Sequence, residues 1–172
     1  RSFDPCGWQA SIDAVETAGI RLLSVAELSA NRSDWQGELH SLYVEIDRDV
    51  PSPLEILEIP REDFEAVTLG RQMLADGFLV ALDGDTLVGL TEPQLVDDDP
   101  TALSQELTGV RSDYRGRGIA TALKAASATW AKDQGYISIR TYNAQSNAPM
   151  LAINDRLGFV RDLGQIEVLK SL

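Results

Sequence analysis

Arg115-Gly116-Arg117-Gly118-Ile119-Ala120 is the stretch whose residue types and spacing could do chemistry. Two glycines so close together let the backbone turn tightly and leave its amides uncovered. An alanine-rich segment of helical period follows, which puts the glycines at a helix N-terminus, where orphan N–H donors and the positive end of the peptide dipoles collect. Such donors, with Arg115, Arg117 and Lys124 nearby, make an anion site, and phosphate is the usual occupant. A plain glycine turn with a solvated basic edge is the alternative. Two other phosphate patterns fail: the chain has no Gly-x-x-x-x-Gly-Lys-Ser/Thr. Gly116-x-Gly118-x-x-Thr121 lacks the third glycine of the dinucleotide fingerprint, and its basic neighbours suit phosphate better than ribose.

A second constellation is Asn143, Asn147, Met150 and Asn154. Asn147 and Asn154, seven apart, project from nearly one side of a helix, with Met150 between them. An amide side chain donates and accepts, which suits a ligand rich in amides and hydroxyls. Asn147 has a simpler role available as an N-cap. Asn154 has no such role and poor mid-helix propensity, which points to a function or to a satisfied amide.

Alternating elements must position these groups. The spacing predicts a short helix over 3–18 ending at Gly19, a strand over 20–25 and a helix over 26–47, with Leu39, Leu42, Tyr43 and Ile46 on one face. Pro51, Pro53 and Pro60 break the chain before a second amphipathic helix over 61–74, interrupted near Gly70. Strands over 78–82 and 86–96 flank Asp83-Gly84-Asp85 as a hairpin, and a strand over 103–110 runs into the glycine loop. Ile119, Ala122, Leu123, Ala126 and Trp130 stripe the next helix, which ends near Gly135. A strand over 136–142, a helix from Asn147 to Gly158, re-entry into the sheet at Phe159-Val160 and a short strand over 165–169 complete the order. The fold class is α/β: a mixed, mostly antiparallel central sheet flanked by helices, opened into a V near Val110.

With 172 residues, 44% of them hydrophobic, the chain is long enough for one domain with a sizeable core. It has no apolar run of membrane-spanning length and no signal-peptide pattern. Cys6 alone excludes an internal disulfide and fits a reducing, cytoplasmic setting. One cysteine and one histidine, His40, make a Cys/His zinc site untenable, so no metal is expected, and His40 alone cannot build a Ser/His/Asp hydrolase. The net charge of −12 is uneven: residues 1–100 carry 21 acidic and 6 basic side chains (−15), residues 101–172 carry 6 and 9 (+3). An anionic ligand would prefer the second part and a cationic one the first, and the overall acidity argues against nucleic acid.

On these residues the chain resembles the GNAT superfamily of N-acetyltransferases. The acyl-CoA signature Gln/Arg-x-x-Gly-x-Gly/Ala has Arg115, Gly118 and Ala120 in register. The strand before it, the long helix, the next strand and Leu157-Gly158-Phe159 follow in order. The match is specific over residues 78–160 and rests on element order alone over 20–77. Residues 1–19 resemble the join between two such domains in tandem proteins, which suits a chain starting at Arg1 without Met. Residues 20–172 would be the acetyltransferase domain and residues 1–19 an extension or linker. Packing against a second such domain, or a homodimer, would fit.

The resemblance implies acetyl-CoA, with its pyrophosphate on the backbone of Arg115, Gly116, Arg117, Gly118, Ile119 and Ala120. Its extended, amide-rich arm would pair like an added strand with Thr108-Gly109-Val110, splayed from Ile137 to Tyr142. Asn143, Asn147 and Asn154 would contact the arm and thiol; Arg111 and Lys124 could join the two loop arginines at outer phosphates. Many members carry a tyrosine at the position of Asn154, as acid for the leaving thiolate; asparagine cannot deliver a proton that way but can hydrogen-bond the sulfur or hold a water. Some place a glutamate at the position of Ser104 as base. Glu106 faces the same side two residues along, Glu92 on the preceding strand is a second candidate, and a water chain a third. Glu106 and Asn154 are thus the expected catalytic pair, while Tyr114 and Tyr142 suit packing, adenine or entrance contacts. The expected acceptor is a small cationic amine, approached over residues 26–76. The competing expectation is a non-catalytic acyl-CoA-binding module, the inert half of a tandem protein.

Overall fold

Strands of half-buried alternation assemble into a five-stranded sheet of order β1-β2-β3-β4-β5, formed by Ile20–Ser24, Leu79–Asp83, Thr86–Leu95, Ala102–Val110 and Ser138–Arg140. The first four are antiparallel and β5 lies parallel to β4. This computed structural model describes residues 3–51, 58–70 and 72–161. Side chains of β2 alternate between two cores. Val80 and Leu82 join Leu28, Leu39, Leu42 and Phe64 from helices on one face; Ala81 joins Val15, Ile119, Ala122 and Leu123 on the other. The first face is covered by α2 (Val25–Asn31), α3 (Trp35–Asp47) and α4 (Arg61–Val67), the second by α1 (Gln9–Thr17) and α5 (Ile119–Asp133); α6 is Ala148–Leu157. The expected α/β sheet flanked by helices is therefore what forms.

Two features of β4 open the sheet. It pairs with β5 only over Ala102–Ser104, against Ser138–Arg140. Beyond that, β4 runs on to Val110 while the other chain turns toward α6, so the V opens from Gln105 onward. Thr141 Oγ1 donates to the Gln105 carbonyl at 3.0 Å and marks the apex. On the opposite edge, Thr91 pairs with Thr108 but Pro93 pairs with Gln105, so Glu106 and Leu107 together face Glu92. Pro93 has no N–H for the ladder, and a bulge is where a strand tolerates that.

Three expectations are corrected. The single helix over 26–47 is two helices. Ser24 caps α2 through a reciprocal box with Glu27, Asn31 Nδ2 turns back onto the Glu27 carbonyl at 2.8 Å, and α3 restarts at Asp34. Asn31, Ser33 and Asp34 are turn and cap formers, and they break the run. The helix over 61–74 ends at Val67, and Met73 instead bridges Gln94 of β3. Phe159 and Val160 do not re-enter the sheet; they follow Gly158, whose φ of +86° ends α6, and Val160 is 85% exposed. The strand expected over 165–169 lies outside the described residues.

Candidate active site

Gly116 and Gly118 have φ of +75° and +82°, the left-handed region open to glycine. Gly118 is thereby the N-cap of the 15-residue α5. The backbone N–H groups of residues 116–120 have no backbone acceptor among the described residues. They form the open end of a helix, with its partial positive charge. Ile119 buries its side chain in the core, so only its amide is available. The basic side chains brace this loop. Arg115 Nε donates to the Val110 carbonyl at 3.2 Å and its guanidinium pairs with Asp49. Arg117 donates to the Asp113 carbonyl at 2.8 Å and lies over the Tyr114 ring, 4.6 Å from its centre. Tyr114 is tied to Asp83 by its hydroxyl, 2.9 Å, and Arg111 pairs with Glu45 at 3.3 Å.

Along the unpaired edge of β4 the V encloses a cavity of ≈ 240 Å³. Gln105 to Thr108 form its floor, Tyr43 and Asp47 of α3 one wall, Lys124 of α5 the other, and Tyr142, Asn143, Asn147 and Met150 the rim. Gln105 Nε2 donates to Thr91 Oγ1 at 2.9 Å, and that hydroxyl meets Thr108 Oγ1 at 2.8 Å, riveting β3 to β4 across the bulge.

The α3 side is acidic, and burial raises Glu92, Tyr43 and Asp47. Glu92 is only 1% exposed. Burial pushes its carboxyl up to about 8; a hydrogen bond from Gln94, 2.5 Å, pulls it down, and the Glu106 charge adds to the rise. Burial, with the charges of Glu92 and Asp47, pushes the Tyr43 hydroxyl up, and burial raises Asp47. Glu106 lines the cavity and accepts a short hydrogen bond from Ser104, on the same side of β4 as expected. Opposite, Lys124 is 2% exposed, and burial alone brings its ammonium down to about 7.

Of the expected site residues, the structure brings Glu106, Thr108, Asn143 and Asn147 to one cavity, while Gly109 and Val110 end β4 beyond it, ahead of the glycine loop. Asn147 does cap α6, accepting from the Met150 amide at 3.3 Å. Asn154 stands behind the rim: it is buried, its Nδ2 donates to Asn143 Oδ1 at 2.6 Å, and its Oδ1 has no partner. Lys124 is not at the outer phosphate edge, because α6 and the Phe159 ring cover it. Sequence reasoning missed Asp47, Gln105 and the cavity-lining position of Tyr43. Only the helical stripe containing Tyr43 signalled a buried face, and nothing marked that face as a cavity wall.

A model of the acetyltransferase (GNAT) family matches residues 37–159. A mycothiol acetyltransferase of Actinosynnema mirum is 34% identical over 88 residues, 51% of this chain and 29% of that protein, so the chain spans well under half the length of that relative. An aminoglycoside N-acetyltransferase in complex with CoA superposes with a TM-score of 0.63 at 14% identity, over 89% of this chain and 95% of that one. The ribosomal-protein-S18-alanine N-acetyltransferase from Escherichia coli gives 0.61 at 14% identity, over 81% and 76%.

Proposed function

The chain belongs to the GNAT acetyltransferase family, and on that premise we propose that it transfers an acetyl group from acetyl-CoA to the nitrogen of a small cationic amine. The observation that carries this reading is a cavity beside β4 together with a helix-start loop of unpaired amides at the end of that strand. The cavity, with Tyr43, Asp47 and Glu106 in its lining, lies along the part of β4 that has no strand partner on that side among the described residues, and the chain runs from there through Gly109 and Val110 to the loop whose amides, at residues 116–120, have no backbone acceptor.

The residues present fit acetyl-CoA. Orphan N–H groups at 116–120 match a pyrophosphate. The edge of β4 beyond Ser104, without a strand partner among the described residues, and the rim amides of Asn143 and Asn147 offer hydrogen bonds to an amide-rich arm. Once bound, the group supplies a thioester carbonyl for attack. The chain's own residues do the rest. A backbone N–H of the 108–110 stretch would hold the carbonyl oxygen. Asp47 and Glu106 attract and orient a cationic amine. Such an amine arrives protonated, with a pKa of about 10. Glu106, which faces the cavity, would accept its proton; Glu92, buried behind with its carboxyl pushed up to about 8, mostly keeps its own proton near neutrality and is the weaker acceptor. Holding both partners in one cleft contributes much of the rate.

Calorimetric titration of acetyl-CoA tests the premise, with Gly118→Trp as control. Binding in the micromolar range that is lost in the variant, followed by CoA thiol release with a member of an amine panel, is the expected result. No binding by the wild type sinks the reading. Binding without thiol release on any amine would replace transfer by acyl-CoA capture.

A further inference from the structure

We propose that Lys124 is the proton donor to the thiolate that leaves during acyl transfer, an assignment that rests on the acetyl-transfer reading above. Lys124 lies on α5, is 2% exposed and lines the cavity. Its Nζ makes no hydrogen bond or ion pair among the described residues, and it lies over the Phe159 ring, 5.2 Å from the centre. An ammonium buried without an anion is costly unless it opens onto something that supplies negative charge.

The charged groups around the cavity say what that charge is. Asp47 on α3 and Glu106 on β4 line it, with Tyr43 and, behind, Glu92. The Tyr43 hydroxyl is raised by the charges of Glu92, Asp47 and Glu106, and Glu92 by those of Glu106 and Asp47, whereas the state of Lys124 is set by burial alone. On α6, Arg156 is turned away to Thr121 Oγ1 at 2.9 Å, and Met150 and Asn154 are neutral. Among the described residues the cavity is thus two-ended, with carboxylates on the α3 side and the Lys124 ammonium on the α5 side. Acyl transfer to an amine has the same polarity. A cation enters, and an anion leaves from the opposite side of the carbonyl carbon.

The step balances. As the acceptor nitrogen bonds the acetyl carbon, the carbon–sulfur bond breaks and its electron pair stays on sulfur. Lys124 gives its Nζ proton to that sulfur. The surplus proton on nitrogen leaves through Glu106 or water, and Lys124 is reprotonated from solvent. The fall of Lys124 to about 7 leaves a proton that it readily releases near neutrality. Asn154, which cannot release one, is left to hold Asn143 in place.

The test needs no acceptor. Free CoA is bound to the full chain and its thiolate absorbance in the far ultraviolet is followed against pH, for wild type, Lys124→Met and Lys124→Gln. In the wild type the bound thiol should titrate at least one pH unit below the roughly 8.5 of a free thiol, and in both variants it should return to that value or rise. A bound thiol unshifted in the wild type, or equally low in the variants, overturns the proposal. Lys124 pairing instead with a carboxylate on the acyl chain would show as more than tenfold tighter binding of succinyl-CoA than acetyl-CoA, lost in Lys124→Met, with the thiol unmoved; that too overturns it. Failure of the wild type to bind CoA would defeat the acetyl-transfer reading itself, and is recognised by calorimetry before any titration.

Discussion

On the α3 side of the cleft, Tyr43, Asp47, Glu92 and Glu106 crowd acidic groups together, and burial holds protons on Glu92 and Tyr43. On the α5 side, Lys124 has no ion-pair partner among the described residues, and burial loosens its hold on its proton. One sheet, split by one bulge and one early-ending strand, separates two opposite electrostatic problems. Low polarity disfavours charge of either sign, so near pH 7 Glu92 tends to hold its proton and Lys124 to give one up. That is a suitable resting state for a site that must receive a cation and expel an anion.

The largest expected effect breaks this symmetry through stability. Glu92 has its ordinary value of 4.5 when unfolded and about 8 when folded. Below 4.5 both states are protonated; as pH rises from 4.5 toward 8 only the unfolded chain loses its proton, so stability falls. Lys124 goes from 10.5 to about 7 on folding. Above 10.5 both states are neutral; as pH drops toward 7 only the unfolded chain gains a proton, so stability falls again. These two contributions place a minimum between about pH 7 and 8. Glu92→Gln and Lys124→Met should each stabilise the protein there by roughly 2–4 kcal/mol. Glu92→Gln should remove the acid-side slope and Lys124→Met the alkaline-side slope. Because no charge from the other wall acts on Lys124, the double variant should be additive. Urea denaturation at a series of pH values checks all three, and a flat profile in the wild type would refute the comparison.

A smaller effect separates the walls by packing. A Cβ at Gly109 would lie 2.1 Å from Ile46 Cγ2 on α3. Gly109→Ala should therefore push α3, with Tyr43 and Asp47, off β4, at a cost of roughly 1–3 kcal/mol. Ile46→Ala in the same chain should recover part of that loss, although alone it leaves a cavity. Measured melting temperatures of the four-member cycle decide it. Simple additivity would mean that α3 does not rest on Gly109.

How much of this could be read in advance differs between the two walls. The glycine loop and α5 were legible because a left-handed φ and a helical stripe are local properties, set by Gly116, Gly118 and the Ile119–Ala122–Leu123 series. The sheet order around them followed from turn residues. Glu92 and Lys124 were illegible as buried groups. Pro93 was visible in the strand, but not that β4 would answer it with an extra residue, swinging Glu106 and Leu107 opposite Glu92. Lys124 sits just past the apolar stripe of α5, and only the end of α6, with Phe159, closes over it. Both burials are made by elements distant in sequence, which no local pattern encodes. The break between α2 and α3 was local, since Asn31, Ser33 and Asp34 announce it, but the apolar period on either side masked it.

Asp47→Asn should act on the acceptor alone. It removes one carboxylate from the α3 wall without touching the loop, so the Michaelis constant for a cationic amine should rise about tenfold, equivalent to about 1.4 kcal/mol, with acetyl-CoA affinity unchanged. Steady-state kinetics with a cationic and a neutral amine of similar size make the comparison. An equal loss for both would assign Asp47 to the fold instead of to charge recognition.

The smallest effect lies where the walls meet. Asp49, just past α3, pairs with Arg115 of the glycine loop across the mouth of the groove, and both side chains are half exposed. Exposed pairs contribute little, so Asp49→Asn should change stability by less than about 1 kcal/mol. Its consequence for binding has the opposite sign. Asp49 competes with an incoming phosphate for the Arg115 guanidinium, and removing that competitor should tighten acetyl-CoA binding about two- to threefold, more at low salt than at high. Titration at two ionic strengths reads this directly. Weaker binding in the variant would mean that the pair pre-orients Arg115 for phosphate, and that the acidic wall assists the basic one at the point where they touch.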